Sequence, residues 1–472
     1  MSDASSEDQN WDLVFGESHG DSEQQRARSS SRRYIRSLDQ LAEYRGRGRG
    51  RQLTAAEALD AYGLDVLVKV AHDGSALLSA GRTAAGDVLR DRRRSLNLDR
   101  KHVAHEAKIS IEQVEAAEQS KRLPIRVYER IAQVLGLDER QVSFSTEPVG
   151  NGKLAVRLRT LDEDEGILSP AAVTGMAEAA WVVMVQARLE QALELRSRPY
   201  ARFDHNYGGP GLPAYRRGYA LARALRQDLA IDDHAPIDSM RVLAEERLGI
   251  PIIQAELGDS IAGVTLEVDG ERAIVINLDG RNRLVYMRRA TVAHELGHLI
   301  YDPPHRLRTL RVDAYEALNR PPDQLPDPVE QRANAFAVEL LAPQSAVVPL
   351  YQQTTEDPLR RVMDEYGVSF TAARYQIWNG LSRSIPLESI TTSNRSPPSH
   401  WEAQEAFTID YHPIRDLRSS RAGRFSALVV RAEAEGLITL DTAMTWLGTD
   451  LPDEIKAARE PLQELFPTVF GG

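Results

Sequence analysis

His294 and His298 stand four residues apart in the run His294-Glu295-Leu296-Gly297-His298, and this spacing constrains the chain more than any other feature. Both imidazoles fall on one face only if the segment is helical, where they lie one turn apart. That face can offer two nitrogens to one ion at about 2.0–2.1 Å. Glu295, beside the first histidine, can act as general base toward a water that the metal activates. The neighbours Val292, Ala293, Leu299 and Ile300 give such a helix a buried side. Gly297 costs a helix up to about 1 kcal/mol, which suits a place where another backbone comes close. A chance match on a solvated helix would lack these features. The chemistry implied is hydrolysis of a peptide bond.

A hydrolytic zinc site needs three protein ligands and one open position. A longer pattern, HExxHxxGxxH, would need glycine at 301 and histidine at 304, but the chain has Tyr301 and Pro304. His305 therefore does not complete that pattern. A carboxylate from a second helix is the better candidate. Residues 327–343 read as that helix, with Asp327 as N-cap, Pro328 at the first helical position and Pro343 at the end. Glu330 and Glu339 lie about half a turn out of phase, so only one can face the metal. Glu330 shares a face with Asn334 and Ala337. Spacing alone leaves Glu330 balanced between a metal ligand and a first-turn carboxylate favoured by the helix dipole.

Three further stretches accompany the motif: Gly249-Ile250-Pro251-Ile252, Ile274-Val275-Ile276-Asn277, and the run from Glu330 to Pro343 containing Ala333-Asn334-Ala335-Phe336-Ala337 and Leu340-Leu341. Together they resemble the ImmA/IrrE metallopeptidases over residues 215–343. The final Ala342-Pro343 departs from the usual Met-Pro, a change that touches packing. The resemblance implies a zincin-like α+β domain, with Zn2+ held by His294, His298 and Glu330, and Glu295 as catalytic base. It also implies a narrow protein substrate, a helix-turn-helix repressor.

At 472 residues the chain has room for several domains, and 42% apolar with 27% charged residues suits a globular protein. Cysteine is absent, which removes disulfides and cysteine metal sites and fits a cytoplasmic setting. The polar, acidic N-terminus does not read as a signal peptide. The apolar run 179–185 is too short to span a bilayer, so no membrane partner is expected. The net charge of −11 disfavours a grip on nucleic acid by the whole surface, yet leaves room for a local basic patch.

Residues 1–52 are rich in Ser, Asp, Glu, Gln and Arg and read as a disordered basic arm, with 53–85 a short helical lead-in. Residues 86–147 carry apolar positions at helical spacing, with Asp99 and Ser110 as caps on either side of a short turn. Leu98, Val103-Ala104, Ile109-Ser110, Val114, Glu118, Lys121-Arg122, Pro124, Ile131-Ala132 and Leu135-Gly136 resemble the XRE domain of Cro and phage repressors. That resemblance implies an all-α N-terminal DNA-binding domain. Gln113 is its one good base reader and Ser110 its helix start. Arg100, Lys101, Lys121 and Arg122 would hold phosphates. Glu112 and Glu115 oppose phosphate, and Lys108 and Ser120 stand where the family usually has glycine. A protein-contact module is the competing reading.

Residues 148–210 read as a linker with a long helix from Ser169-Pro170, whose apolar stripe suits core or a homodimer contact. The peptidase-like domain is set at 211–390, with strands on either side of the Asp269-Gly270 turn. The second of these strands is expected beside an extended substrate. Residues 302–327, rich in proline, are expected to act as a lid. A linker at 391–401 and a helical tail at 402–472 complete a multidomain, mainly α chain. Three functions compete. The first is a zinc endopeptidase fused to a DNA-binding module. The others are a regulator without turnover, and an antitoxin-like DNA-binding protein. An intact Glu295 favours the first.

Overall fold

The structure is a computed structural model, described over residues 4–48, 50–78, 84–140, 142, 168–195, 211–259, 261–268, 270–302, 311–314, 327–396, 400–405, 413–415 and 417–471. It divides into two units, Met1–Leu195 with Tyr411–Gly472, and Arg196–Asp410.

The first unit begins where the sequence suggests disorder, and that expectation is corrected. Helices α1 (Ala4–Phe15) and α2 (Glu23–Ser29) precede strands β1 (Arg33–Arg36), β2 (Gln40–Glu43) and β3 (Arg51–Thr54). These strands and β4 (Ser75–Leu77) form an antiparallel sheet ordered β3-β1-β2-β4. The few apolar residues of the segment are enough because they meet in one place. Val14, Phe15, Ala27, Tyr34, Leu41 and Leu53 are buried with one face of α3 (Ala55–Asp73). Thr54 and Glu57 start α3 with a reciprocal capping box. Some of its arginines are engaged as well: Arg28 pairs with Glu194 at 3.1 Å, and Arg51 donates to Glu129 at 2.5–2.8 Å. A free basic arm is therefore not what this segment forms.

Helices α4 (Ala84–Ser95), α5 (Arg100–Glu106), α6 (Ile111–Glu118) and α7 (Ile125–Val134) follow. Asp99 caps α5 and Ser110 caps α6. The Pro170–Ala192 helix starts at its Ser169 cap and buries Ala177, Ala180, Trp181, Met184 and Leu189, so its apolar stripe is core of this unit. The C-terminal residues are no detached tail. The helices Arg424–Ala434 and Leu440–Leu447 join the same unit, where the indoles of Trp181 and Trp446 both donate to buried Glu139, at 2.8 and 2.5 Å.

The second unit sets a four-stranded sheet, β5 (Ile252–Ala255), β6 (Ile261–Val268), β7 (Glu271–Asn277) and β8 (Arg311–Ala314), in the order β5-β7-β6-β8. β5 is parallel to β7, and the other pairs are antiparallel. Its main helices are Ala214–Asp228, the motif helix Val285–Tyr301, and Pro328–Leu341. Leu225, Ile274, Ile276, Val292, Leu296, Phe336 and Leu340 share the core between them. The boundary expected near 391–401 also shifts. Trp401 and Glu405 belong to this unit, with Glu405 paired to Arg289 at 2.6 Å in full burial and Arg289 lying 4.1 Å above the Trp401 ring. Residue 210 and the rest of the expected Gly/Pro linker lie outside the described residues, apart from Gly211. No helix among the described residues is long and apolar enough to cross a membrane.

The first unit has an acid-sensitive tie. Burial disfavours a charge on Glu178, but Arg421 at 2.7 Å and Arg418 at 2.8 Å outweigh it and hold the carboxyl down to about 2. A depressed carboxyl stabilises the fold above its ordinary value of 4.5 and loses that contribution as pH falls toward about 2. Glu178→Gln should destabilise the unit by about 3 kcal/mol at pH 7, since it strands the buried Arg421 guanidinium and the half-buried one of Arg418. Urea unfolding should show the deficit shrinking as the pH falls through that window. A deficit constant from pH 7 to pH 3 would assign the loss to shape instead of charge.

Candidate metal centre

The motif helix is tied to the strands through Asn282, which precedes it, and through Thr291 and Glu295 within it. Asn282, just before the helix, donates to the carbonyls of Ala262 and Asn277 at 2.7 and 3.0 Å, and accepts from Thr291 at 3.0 Å. Asn277 donates to the carbonyl of Ile261 at 2.6 Å. These bonds fix the helix over β6, with His294, Glu295 and His298 all 0% exposed. Gly297 has the role expected of it. A Cβ there would stand 2.9 Å from the Phe336 ring and 3.5 Å from the Ala333 Cα, so the Pro328–Leu341 helix crosses at this point.

That crossing carries Glu330 to the two histidines. Asp327 caps the helix and Pro328 opens it, which puts Glu330 in the first turn. The Nε2 atoms of His294 and His298 are 3.0 Å apart. Glu330 Oε2 is 3.3 Å from His294 Nε2, and Oε1 is 3.5 Å from His298 Nε2. The three residues are buried and their ligand atoms lie within 4.8 Å of one another. Two donors bound tetrahedrally at about 2.05 Å stand about 3.3 Å apart. The observed separations bracket that value, and two imidazoles with a carboxylate form a donor set that a metal ion such as zinc accepts. The residues therefore fit a metal. Glu339 faces the other way as its phase requires, pairing with Arg223 at 2.7 Å and accepting from Gln376 at 2.6 Å.

Three supporting residues escape a reading of the sequence. Asp302, at the end of the motif helix, is 1% exposed, and its Oδ2 lies 3.1 Å from His298 Nδ1. This fixes the ring so that Nε2 faces Glu330. Asp302 also pairs with Arg332, two residues after Glu330, and so links the two helices. The spacing of Asp302, four after His298, was the available signal, but the residue read as the start of a lid. Thr265 on β6 donates to Glu295 Oε2 at 2.5 Å. No local pattern marks it, because the contact joins a strand to a helix. The backbone at Gly263 is equally close: a Cβ there would be 2.8 Å from Glu295 Oε1.

The sheet corrects the expected substrate strand. β7 lies between β5 and β6, so both of its edges are already paired. The edge strands are β5 and β8, and β8 comes from the expected lid and pairs with β6 through Gly263↔Asp313 and Thr265↔Arg311. Residues 303–310, including His305, and 315–326 of that lid lie outside the described residues.

The residues expected to meet DNA are scattered in their availability. Gln113 Oε1 accepts from the Ser110 backbone at 3.0 Å while Ser110 Oγ accepts from the Gln113 backbone at 3.3 Å. The expected base reader and the helix start are thus spent on one capping box. Arg100 donates to Glu118 at 2.8 Å and comes within 3.7 Å of Glu115. Lys101, Lys121 and Arg122 remain exposed. Lys108 and Ser120 hold φ of 52° and 51°, the left-handed conformation for which glycine is favoured.

Asp302→Asn should leave the donors in place but free the His298 ring, lowering metal affinity by on the order of tenfold to a hundredfold. Competition with a chelating dye measures this. An unchanged affinity would remove the orienting role of Asp302.

No curated protein matches the chain. Residues 245–377 match the family model Peptidase_M78, described as the IrrE N-terminal-like domain, and this match supports a metallopeptidase-type domain over the segment that holds His294, Glu295, His298 and Glu330.

Proposed function

We propose that this chain is a zinc-dependent, substrate-selective endopeptidase joined to a helix-turn-helix module, and that it cuts a helix-turn-helix repressor to regulate transcription. The observation that carries the reading is the convergence of His294, His298 and Glu330 on one point, with Glu295 held beside them by Thr265. Zinc, when bound, would polarise the scissile carbonyl and make a water acidic enough to attack near neutral pH. His294, His298 and Glu330 hold the ion, and Asp302 keeps the His298 ring turned toward it. Thr265 anchors Glu295 at Oε2. Glu295 then takes the proton of the attacking water at Oε1 and passes it to the leaving amine. Full burial of Glu295 excludes bulk water and strengthens each of these interactions.

The same burial supports selectivity. A carboxylate that is 0% exposed reaches no substrate until something moves. β8 occupies one edge of β6, the strand whose Gly263 and Thr265 adjoin Glu295, and an extended peptide would pair at that edge by strand addition. A substrate loop takes that edge once β8 gives way, in a cytoplasmic protein that must spare its neighbours.

The test uses metal-loaded full-length protein and a helix-turn-helix repressor encoded nearby. Glu330→Ala should lose metal and cleavage together. Glu295→Gln should keep the metal by elemental analysis and lose cleavage by a factor on the order of 10³ or more. The parent should cut the repressor once and leave casein intact. Rapid degradation of casein would sink the selective reading. Repressor release that persists in Glu295→Gln would favour a regulator that works without turnover.

DNA binding is the second arm of the proposal, supported by the capped α5–α6 pair and by exposed Lys101, Lys121 and Arg122. With Gln113 committed to a cap, phosphate contacts dominate and binding should be steeply salt-dependent with weak sequence preference. Lys121→Ala combined with Arg122→Ala should lower the slope of log K against log salt by about 2. A gel-shift series with no salt-sensitive binding to any duplex would refute this arm.

A further inference from the structure

A hollow of about 420 Å³ in the first unit lies among the turn between α5 and α6, helix α7, the segment around Arg418, and the end of the Leu440–Leu447 helix. Six of its sixteen lining residues are Lys or Arg and two are acidic. That balance stands out in a chain of net charge −11. Nothing in the peptidase reading uses it.

One face of α7 supplies Arg126, Arg130 and Gln133, at successive turns of the helix. Gln133 is the informative residue. It is 3% exposed, lines the hollow, and its Nε2 finds no hydrogen-bond partner among the described residues. A buried donor left unmade costs about 1–3 kcal/mol. It calls for an acceptor, and the surrounding charges call for an anionic one. Several of those cations are held by acids: Arg126 by Asp441, Arg415 by Glu454 at 3.2 Å, and Arg418 and Arg421 by Glu178. Arg130 meets Asp450 only at 3.7 Å, with both side chains well exposed, and Lys108 has no acidic partner among the described residues. Each guanidinium also has five N–H donors, more than one carboxylate occupies.

We propose that this hollow is a binding site for a small phosphomonoester. Phosphate oxygens only accept, which suits the Gln133 amide, the forks of Arg126 and Arg130, and Lys108 together. The volume is at the small end of ligand pockets, about 300–1,000 Å³. The ligand would touch the turn that joins α5 to α6, so its binding would report to the helix-turn-helix. Duplex DNA, which offers phosphates in a line and not one at a time, is the competing occupant.

The test is phosphorus NMR titration of full-length protein with glycerol phosphate at constant ionic strength, with thermal unfolding alongside. Saturable line broadening and a rise in Tm are expected with the ester, and none with matched chloride. Arg130→Ala and Gln133→Leu should each weaken binding about tenfold or more. Without ligand, Gln133→Leu should melt no lower than the parent, because it removes the unmade donor. If that variant does not fold, the Arg130→Ala change at a half-exposed position carries the test alone. Absence of saturable broadening, or broadening untouched by Arg130→Ala, would overturn the site. Loss of duplex binding in Arg130→Ala without any response to the ester would give the hollow to DNA.

Discussion

Where Gly297 meets Phe336 and Ala333, the motif helix packs closely on the Pro328–Leu341 helix, and this packing brings Glu330 to the two histidines. A Cβ at position 297 would stand 2.9 Å from the Phe336 ring, so that ring would have to shift on the helix that carries Glu330. The Asp302–Arg332 pair fastens the same crossing from the other side, and Asp302 also orients His298. The centre is thus set by packing first and by charge second. The helix pair brings the donors within reach, and the buried acid then chooses which imidazole nitrogen faces inward.

The sheet adds the catalytic carboxylate to this pair. Thr265 and Gly263 are on the same face of β6, two residues apart, and both adjoin Glu295. The hydroxyl of one holds Oε2, and the missing side chain of the other leaves room near Oε1. Asn277 and Asn282 keep β6, β7 and the start of the motif helix in register. A buried polar network of this kind fixes one arrangement because any alternative leaves an amide without partners.

The first unit adds buried polar ties to its apolar core. Glu129 holds Arg51 from β3, Glu139 receives two indole donors, and Glu178 holds Arg418 and Arg421. Each pair joins segments far apart in sequence, so the N-terminal strands, the four helices α4–α7 and the C-terminal helices form one unit. Breaking such a pair by removing one partner is costly, since the other charge stays buried.

The sequence by itself determined the local chemistry. An i,i+4 histidine pair, a glutamate beside the first, and a helix carrying Glu330 can be read from spacing and capping, and the caps at Asp99, Ser110, Ser169 and Asp327 stand where side-chain type placed them. Such signals act within one turn of helix and so survive in the linear code. Only the tertiary structure decided which long-range partners meet. It chose Asp302, Arg332 and Thr265 as supports, put β7 inside the sheet and β8 at its edge, spent Gln113 on its own cap, and folded residues 4–48 onto α3. Composition misled at the N-terminus because burial depends on where a few apolar residues converge, and a low apolar fraction does not reveal that they share one face.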